Sequence, residues 1–336
     1  MPEFAHSFGP AGALIGVLTQ PEPGHPAQPA QVGCLLLNTG INPRIGPRRV
    51  NVKLARRLAP LGISSLRFDL SGIGDSLASV EKLDFRQQAM ADMKAALDFF
   101  EAQTGLSRFM VFGVCSGAVN AWELTLADHR IVGMCTFDGY AFPTFMVRVE
   151  RKLRRWAAFP FNPTLRHSYP AWHDAVQWLR APFDAHARRK ALAHWRNGPG
   201  GTGDAPPDIF ETDSPVYEPE RFAADMQAAL ERRVDMYLMH SAMVNMADRD
   251  RKLMATFRGQ PWLDRIRYRF WPKADHTMTL LEAQQEVLCE VAAWAAEVAR
   301  THAGHPSAPP PTEHLQPASA DERRRAWIQA FRPPWL

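Results

Sequence analysis

Two periods alternate along the first half of the chain: short apolar runs that mark strands, and stretches whose apolar residues recur every three or four positions, which mark helices. The runs Leu14 to Thr19 and Val32 to Leu37 predict two strands. The loop between them carries Pro21, Pro23, Pro26 and Pro29, so the pair is expected to form a hairpin that opens a sheet. A helix follows in which Leu54, Leu58 and Leu61 share a face, then a strand from Ser64 to Leu70. Met90, Met93, Leu97 and Phe100 repeat the helical period ahead of a strand from Arg108 to Val114. A helical stretch from Gly117 to Asp128 then leads to a strand from Ile131 to Phe137. Strands alternating with helices in this way predict the α/β class, a mainly parallel, doubly wound sheet covered on both faces.

The alternation stops near Ala141 and resumes with strands from Val234 to Met239 and from Ile266 to Trp271. A last helix carries Val287, Val291, Trp294 and Val298 as one stripe. The expected division is a core of residues 1–140 and 233–300 around a helical lid or cap at 141–232, since a long irregular segment in a compact domain is usually functional. That insertion holds Trp156, Trp172, Trp178 and Trp195 and the run Gly198 to Gly203. Residues 301–318, rich in Pro, Ala and Ser, predict a flexible linker. The tail, residues 319–336, carries Trp327, Ile328, Phe331 and Trp335; it is expected to dock on the body or on a second subunit as a homodimer, or to fray.

Composition narrows the function classes. The 336 residues are 46% hydrophobic, as in a globular protein with a sizeable core. The net charge of +4 is spread rather than massed, which argues against a nucleic-acid partner. The absence of a long apolar stretch and of a signal-peptide start argues against a membrane partner, and a cytoplasmic location is the default expectation. Cys34, Cys135 and Cys289 sit in apolar stretches as small buried thiols would. Neither a disulfide framework nor a metal site is expected, because no His-Glu-x-x-His or paired Cys-x-x-Cys spacing occurs. Gly72-Ile73-Gly74 and the run Gly198 to Gly203 lack the context of a phosphate loop, so no cofactor is expected.

The informative passage is Phe112-Gly113-Val114-Cys115-Ser116-Gly117-Ala118, a strand, a tight turn and a helix in immediate succession. Such a turn needs small residues two before and two after the nucleophile, and Gly113 and Gly117 provide them around Cys115. Centring it on Ser116 would put Val114 where glycine is wanted, so Cys115 is favoured as the nucleophile. A buried cysteine at a Gly-containing strand exit is the plain structural alternative. The helix start favours the thiolate form, and the amide of Ser116 is expected to face a developing oxyanion. His276, in Lys273-Ala274-Asp275-His276-Thr277 just past the last strand, is the expected general base. His186 and His194 follow no strand end and read as surface histidines.

Together with Leu37-Asn38-Thr39-Gly40, Arg44-Ile45-Gly46-Pro47-Arg48 and Arg67-Phe68-Asp69-Leu70-Ser71-Gly72-Ile73-Gly74-Asp75-Ser76, these passages resemble bacterial α/β-hydrolases of the serine-aminopeptidase-like group. The Gly-x-Cys-x-Gly elbow is also similar to that of dienelactone hydrolases. The resemblance covers residues 12–140 and 233–300. It implies an α/β-hydrolase fold, and it implies that Gly40 and Ile41 lie where the second oxyanion donor is found.

The third member of the triad departs from the family pattern. After the strand before the last one, the usual place of the acid, the chain reads Met239-His240-Ser241-Ala242-Met243-Val244-Asn245. Either Asn245 orients the imidazole, or the acid has moved to Asp138 at the end of the strand after the nucleophile helix. The position of Asp138 at the sheet edge favours it. Asp248 and Asp250 are further candidates for the acid, in a charged stretch that also fits a solvated helix face, and Asp69 and Asp75 fit bracing of their own turn. Arg148, Arg151, Lys152, Arg154 and Arg155 form a basic patch that reads as a solvated face or, functionally, as attraction for an acidic acyl carrier protein or an anionic substrate. The expected activity is acyl transfer from a small-molecule ester or thioester through Cys115 to water, or to an amine or alcohol. The rival from another class is a non-catalytic binding protein on a hydrolase scaffold, motivated by the missing carboxylate after Ser241.

Overall fold

The computed structural model describes residues 1–24, 29–80, 83–142, 218–241 and 252–303. Within them lie strands β1 (Glu3–Phe8), β2 (Leu14–Thr19), β3 (Gly33–Leu36), β4 (Ser65–Phe68), β5 (Phe109–Val114), β6 (Ile131–Phe137), β7 (Asp235–Ser241) and β8 (Arg267–Trp271). They form a sheet in the order β1-β2-β4-β3-β5-β6-β7-β8, in which β1–β2 and β2–β4 pair antiparallel and every later neighbour pairs parallel. The helices are α1 (Val50–Leu58), α2 (Phe85–Thr104), α3 (Ser116–Ala127), α4 (Pro219–Glu231) and α5 (Leu281–Thr301). This is the α/β-hydrolase fold.

Both faces of the sheet are covered, so its central strands are apolar without alternation: all six residues of β5 and all four of β3 are buried. On one face α1 and α5 pack Leu54, Leu58, Val287, Val291 and Trp294 against Leu36, Met110 and Phe112. On the other, α2, α3 and α4 bring Met93, Phe100, Trp122 and Phe222 onto Leu35, Val111 and Met134. Local signals fix the helix ends. The Asp84 side chain caps α2 by accepting from the Gln87 amide, and Gly105 ends the helix in the left-handed conformation.

Two expectations change. The opening hairpin is β1 with β2, not Leu14–Thr19 with the run at Val32, because β3 is needed in the sheet interior between β4 and β5. The β1 sequence Glu-Phe-Ala-His-Ser-Phe buries only Phe8, which is why no apolar run announces it. Residues 219–231, placed by pattern within the insertion, form α4, whose Phe222, Met226, Ala229 and Leu230 belong to the core. Most of the expected insertion, the whole tail and nearly all of the expected linker lie outside the described residues.

The strand order has one consequence for function. From β3 the chain passes through α1 to β4 on one side, and from β4 it passes through α2 to β5 on the other. The loops leaving β3 and β5 therefore diverge, and open sheets bind ligands in the crevice at such a reversal.

Candidate active site

Strand β5 runs straight into α3, and Cys115 is the single residue between them, with φ 58° and ψ −121°. An L-residue avoids this region, and the turn is tight enough to enforce it. A Cβ on Gly113 would lie 2.0 Å from the Gly117 carbonyl oxygen, and one on Gly117 would lie 2.4 Å from the Asn38 carbonyl oxygen. The two glycines thus let the helix start pass over the strand and against the loop that follows β3. The Cys115 amide donates to the Phe137 carbonyl at 2.9 Å, tying the turn to β6. Its side chain is half-buried, whereas Cys34 and Cys135 are buried and burial pushes their thiols up, Cys34 to about 12. Cys289, expected buried, is exposed on α5, where the Arg57 guanidinium donates to its sulfur.

Asp138 follows β6, with φ 55° and a side chain fully withdrawn from solvent. One carboxylate oxygen accepts the Ser241 amide at 2.6 Å; the other accepts the Ser241 hydroxyl at 2.7 Å and His276 Nδ1–H at 2.9 Å. His276 stands on the loop between β8 and α5. That loop is anchored by buried Ala274 and Met278 and closed by the Asp275 carboxylate, which accepts the Thr279 amide. The hydrogen bond to Asp138, and after it one to the Cys115 thiol, push the imidazole up to about 10 against the opposing effect of burial. Cys115, His276 and Asp138 thus form one hydrogen-bonded line across the ends of β5, β8 and β6. A carboxylate thus meets the imidazole from the end of β6, one strand before the stretch after Ser241. Ser241, which the sequence reading leaves in the stretch after its strand without a role, holds that carboxylate; its place next to the position where the acid is usually expected is the signal that could have found it. Asn245, Asp248, Asp250 and the basic patch at 148–155 lie outside the described residues.

The loop after β3 faces the elbow. Its Gly40 (φ 53°) does not present a free amide, because Gly40 N–H donates to Ser116 Oγ at 2.6 Å. Ile41 is 90% exposed. The Ser116 amide is the first of α3, a position with no acceptor inside its own helix. Asn38 braces the loop by donating to the Asn42 carbonyl and accepting the Leu70 amide. Buried Asp69 accepts the Arg44 amide and guanidinium and the Asp75 amide, so it braces this loop as well as its own turn. Asp75 in turn pairs with Arg44 at 2.7 Å. Among the described residues no three His, Cys, Asp or Glu side chains converge as metal ligands would, and no helix is long and apolar enough to cross a membrane.

No family model and no curated protein matches the chain. Among solved structures it is similar to the proline iminopeptidase of Mycobacterium smegmatis, at 17% identity and a TM-score of 0.50 over 89% of this chain and 99% of that one. The α/β hydrolase GrgF of Penicillium sp. sh18 aligns at 13% identity and a TM-score of 0.48, over 91% of this chain and all of that one. A thermophilic esterase of Thermogutta terrifontis aligns at 14% and 0.44, over 89% of this chain and all of that one. At these identities the likeness concerns the fold.

Proposed function

We propose that the protein is an acyl-transfer enzyme in which Cys115 attacks an ester or thioester carbonyl and holds the acyl group as a thioester. The observation that carries this reading is the line from Cys115 through His276 to Asp138, with the cysteine alone in a strained turn at a helix start. A nucleophile, a base and a group orienting the base within mutual reach are the minimum for covalent acyl transfer.

In this mechanism the proton rests on His276, partnered by Asp138, while the Cys115 sulfur carries the charge. The sulfur adds to the carbonyl carbon, the carbonyl π pair moves to oxygen, and the Ser116 amide donates to that oxyanion. As the carbonyl re-forms, the bond to the leaving group breaks and His276 gives it its proton. Water, or an amine or alcohol, then delivers a proton to His276 as it attacks the thioester and frees Cys115. Ile41, Ile45 and Leu280 are exposed on the two loops that carry Gly40 and His276, as is Leu281 at the start of α5, and exposed apolar side chains of this kind at a site suit an apolar acyl group.

The test is intact mass and peptide mapping after brief exposure to short and medium acyl thioesters, with Cys115→Ala and Ser116→Ala in parallel. An acyl adduct on the peptide holding Cys115 is expected, absent from Cys115→Ala at every exposure time and formed in Ser116→Ala on longer exposure. An adduct that survives in Cys115→Ala and disappears in Ser116→Ala would move the nucleophile to the serine.

A further inference from the structure

The hydrogen bond between the two halves of the crevice has an unexpected polarity. Gly40, which resemblance puts at a donor position, spends its N–H on the side chain of Ser116, the residue next to the nucleophile. A hydroxyl has one proton and two lone pairs. With Gly40 N–H on one lone pair, Ser116 still has its proton to give, and among the described residues it donates that proton to no group. Ser116 is half-buried, directly follows Cys115, and supplies the first amide of α3, the one expected to face a developing oxyanion.

We infer that the Ser116 hydroxyl is itself an oxyanion donor, held in place and polarised by Gly40 N–H behind it. This rests on the reading of Cys115 as the nucleophile. When the Cys115 sulfur bonds to the carbonyl carbon, the π pair moves to oxygen, and that oxygen accepts from Ser116 N–H and from Ser116 Oγ–H. No proton is transferred. A hydroxyl donating to an anion makes a short, strong bond, and an N–H aimed at the hydroxyl oxygen strengthens it. The rival arrangement has Ser116 rotating away so that Gly40 N–H reaches the oxyanion directly. The two differ in sign: removing the hydroxyl disables the first and frees the donor of the second.

The experiment is single-turnover acylation of the full chain by an activated aryl thioester, followed by intact mass, for the wild type, Ser116→Ala, Ser116→Thr and Cys115→Ala. Iodoacetamide alkylation of Cys115 is run beside it, because alkylation needs the thiolate but builds no oxyanion. Ser116→Ala is expected to slow acylation about 10²-fold, the usual cost of one oxyanion donor, with alkylation within about twofold of wild type. Ser116→Thr, which keeps the hydroxyl, recovers most of the loss. Acylation in Ser116→Ala as fast as wild type or faster would overturn the inference in favour of Gly40. Equal losses in acylation and alkylation would also overturn it, since the serine would then act on the thiolate or the turn. Failure of the underlying reading shows elsewhere, in a wild type that gains no acyl group on Cys115.

Discussion

Asp138 serves two partners with one carboxylate: it orients His276 and it closes the end of β7 through both the amide and the hydroxyl of Ser241. A fully buried carboxylate with three donors is well satisfied, which is what lets an anion remain beside a partly exposed imidazole. The protonated form of His276 gains from this, and the sign of the effect on stability follows. Its folded value of about 10 lies above the ordinary 6.5, so the contribution is complete below about pH 6.5 and is lost as pH rises through 10. Chemical denaturation across that window should show the wild type losing stability, on the order of a few kcal/mol, relative to His276→Gln. Parallel pH profiles for the two proteins would contradict the assignment. The alkaline limb of acylation should likewise lie near pH 10 and move towards neutrality in Asp138→Asn, since the hydrogen bond to Asp138 is the largest cause of the raised value. A limb that stays in place in that variant would mean that Asp138 does not set the charge of His276.

The elements matter through how closely they approach. Gly113 and Gly117 give up side chains so that β5, the start of α3 and the loop after β3 can meet, and neither position has a positive φ. Gly113→Ala would bring a methyl group onto the Gly117 carbonyl. The backbone would have to shift, at a cost of at least the roughly 1–3 kcal/mol of ordinary overpacking. The same shift would displace Cys115, so Gly113→Ala should lose both stability in urea and alkylation rate at Cys115. Stability lost with an unchanged alkylation rate would show that the turn tolerates looser packing than its geometry implies. These elements were legible in the sequence because each has a local cause: apolar runs for the buried strands, Gly-x-Cys-x-Gly for the turn, the helical spacing of Met90, Met93, Leu97 and Phe100 for α2. Edge strand β1 was not, since a strand that buries one residue leaves no periodic trace, and α4 was hidden by its place after a long irregular segment. The bond from Gly40 to Ser116 was beyond reach for another reason: it joins residues 76 positions apart, and no spacing encodes the direction of a hydroxyl.

At the scale of the molecule, the sheet separates what stabilises the fold from what does the chemistry. The three candidate catalytic side chains stand at the ends of β5, β6 and β8, whereas the largest buried groups lie along the two faces. The sequence offers Asp138 and Asn245 as partners for the imidazole without ranking them by distance, because the approach of Asp138 to both Ser241 and His276 needs the adjacency of β6 and β7, which is a property of the whole sheet. Helix α5 gives a direct check of the separation. Its Trp294 is 1% exposed, stands beside Tyr237 with ring centroids 6.4 Å apart, and donates its indole N–H to Asp235 at 2.6 Å. Those partners belong to β7, whose end at Ser241 carries the hydrogen bonds that hold Asp138. Trp294→Ala opens a large cavity at the start of that strand and should cost about 3–5 kcal/mol, lowering Tm by on the order of 10 °C. Cores respond to such cavities by partial local collapse, and a strand paired on both sides resists transmitting it along its length. Below its unfolding transition the variant should therefore keep Cys115 alkylation within about twofold of wild type. A tenfold fall in alkylation while the protein is still folded would show that the packing of α5 sets the position of Asp138, and that in this molecule scaffold and site are one mechanical unit.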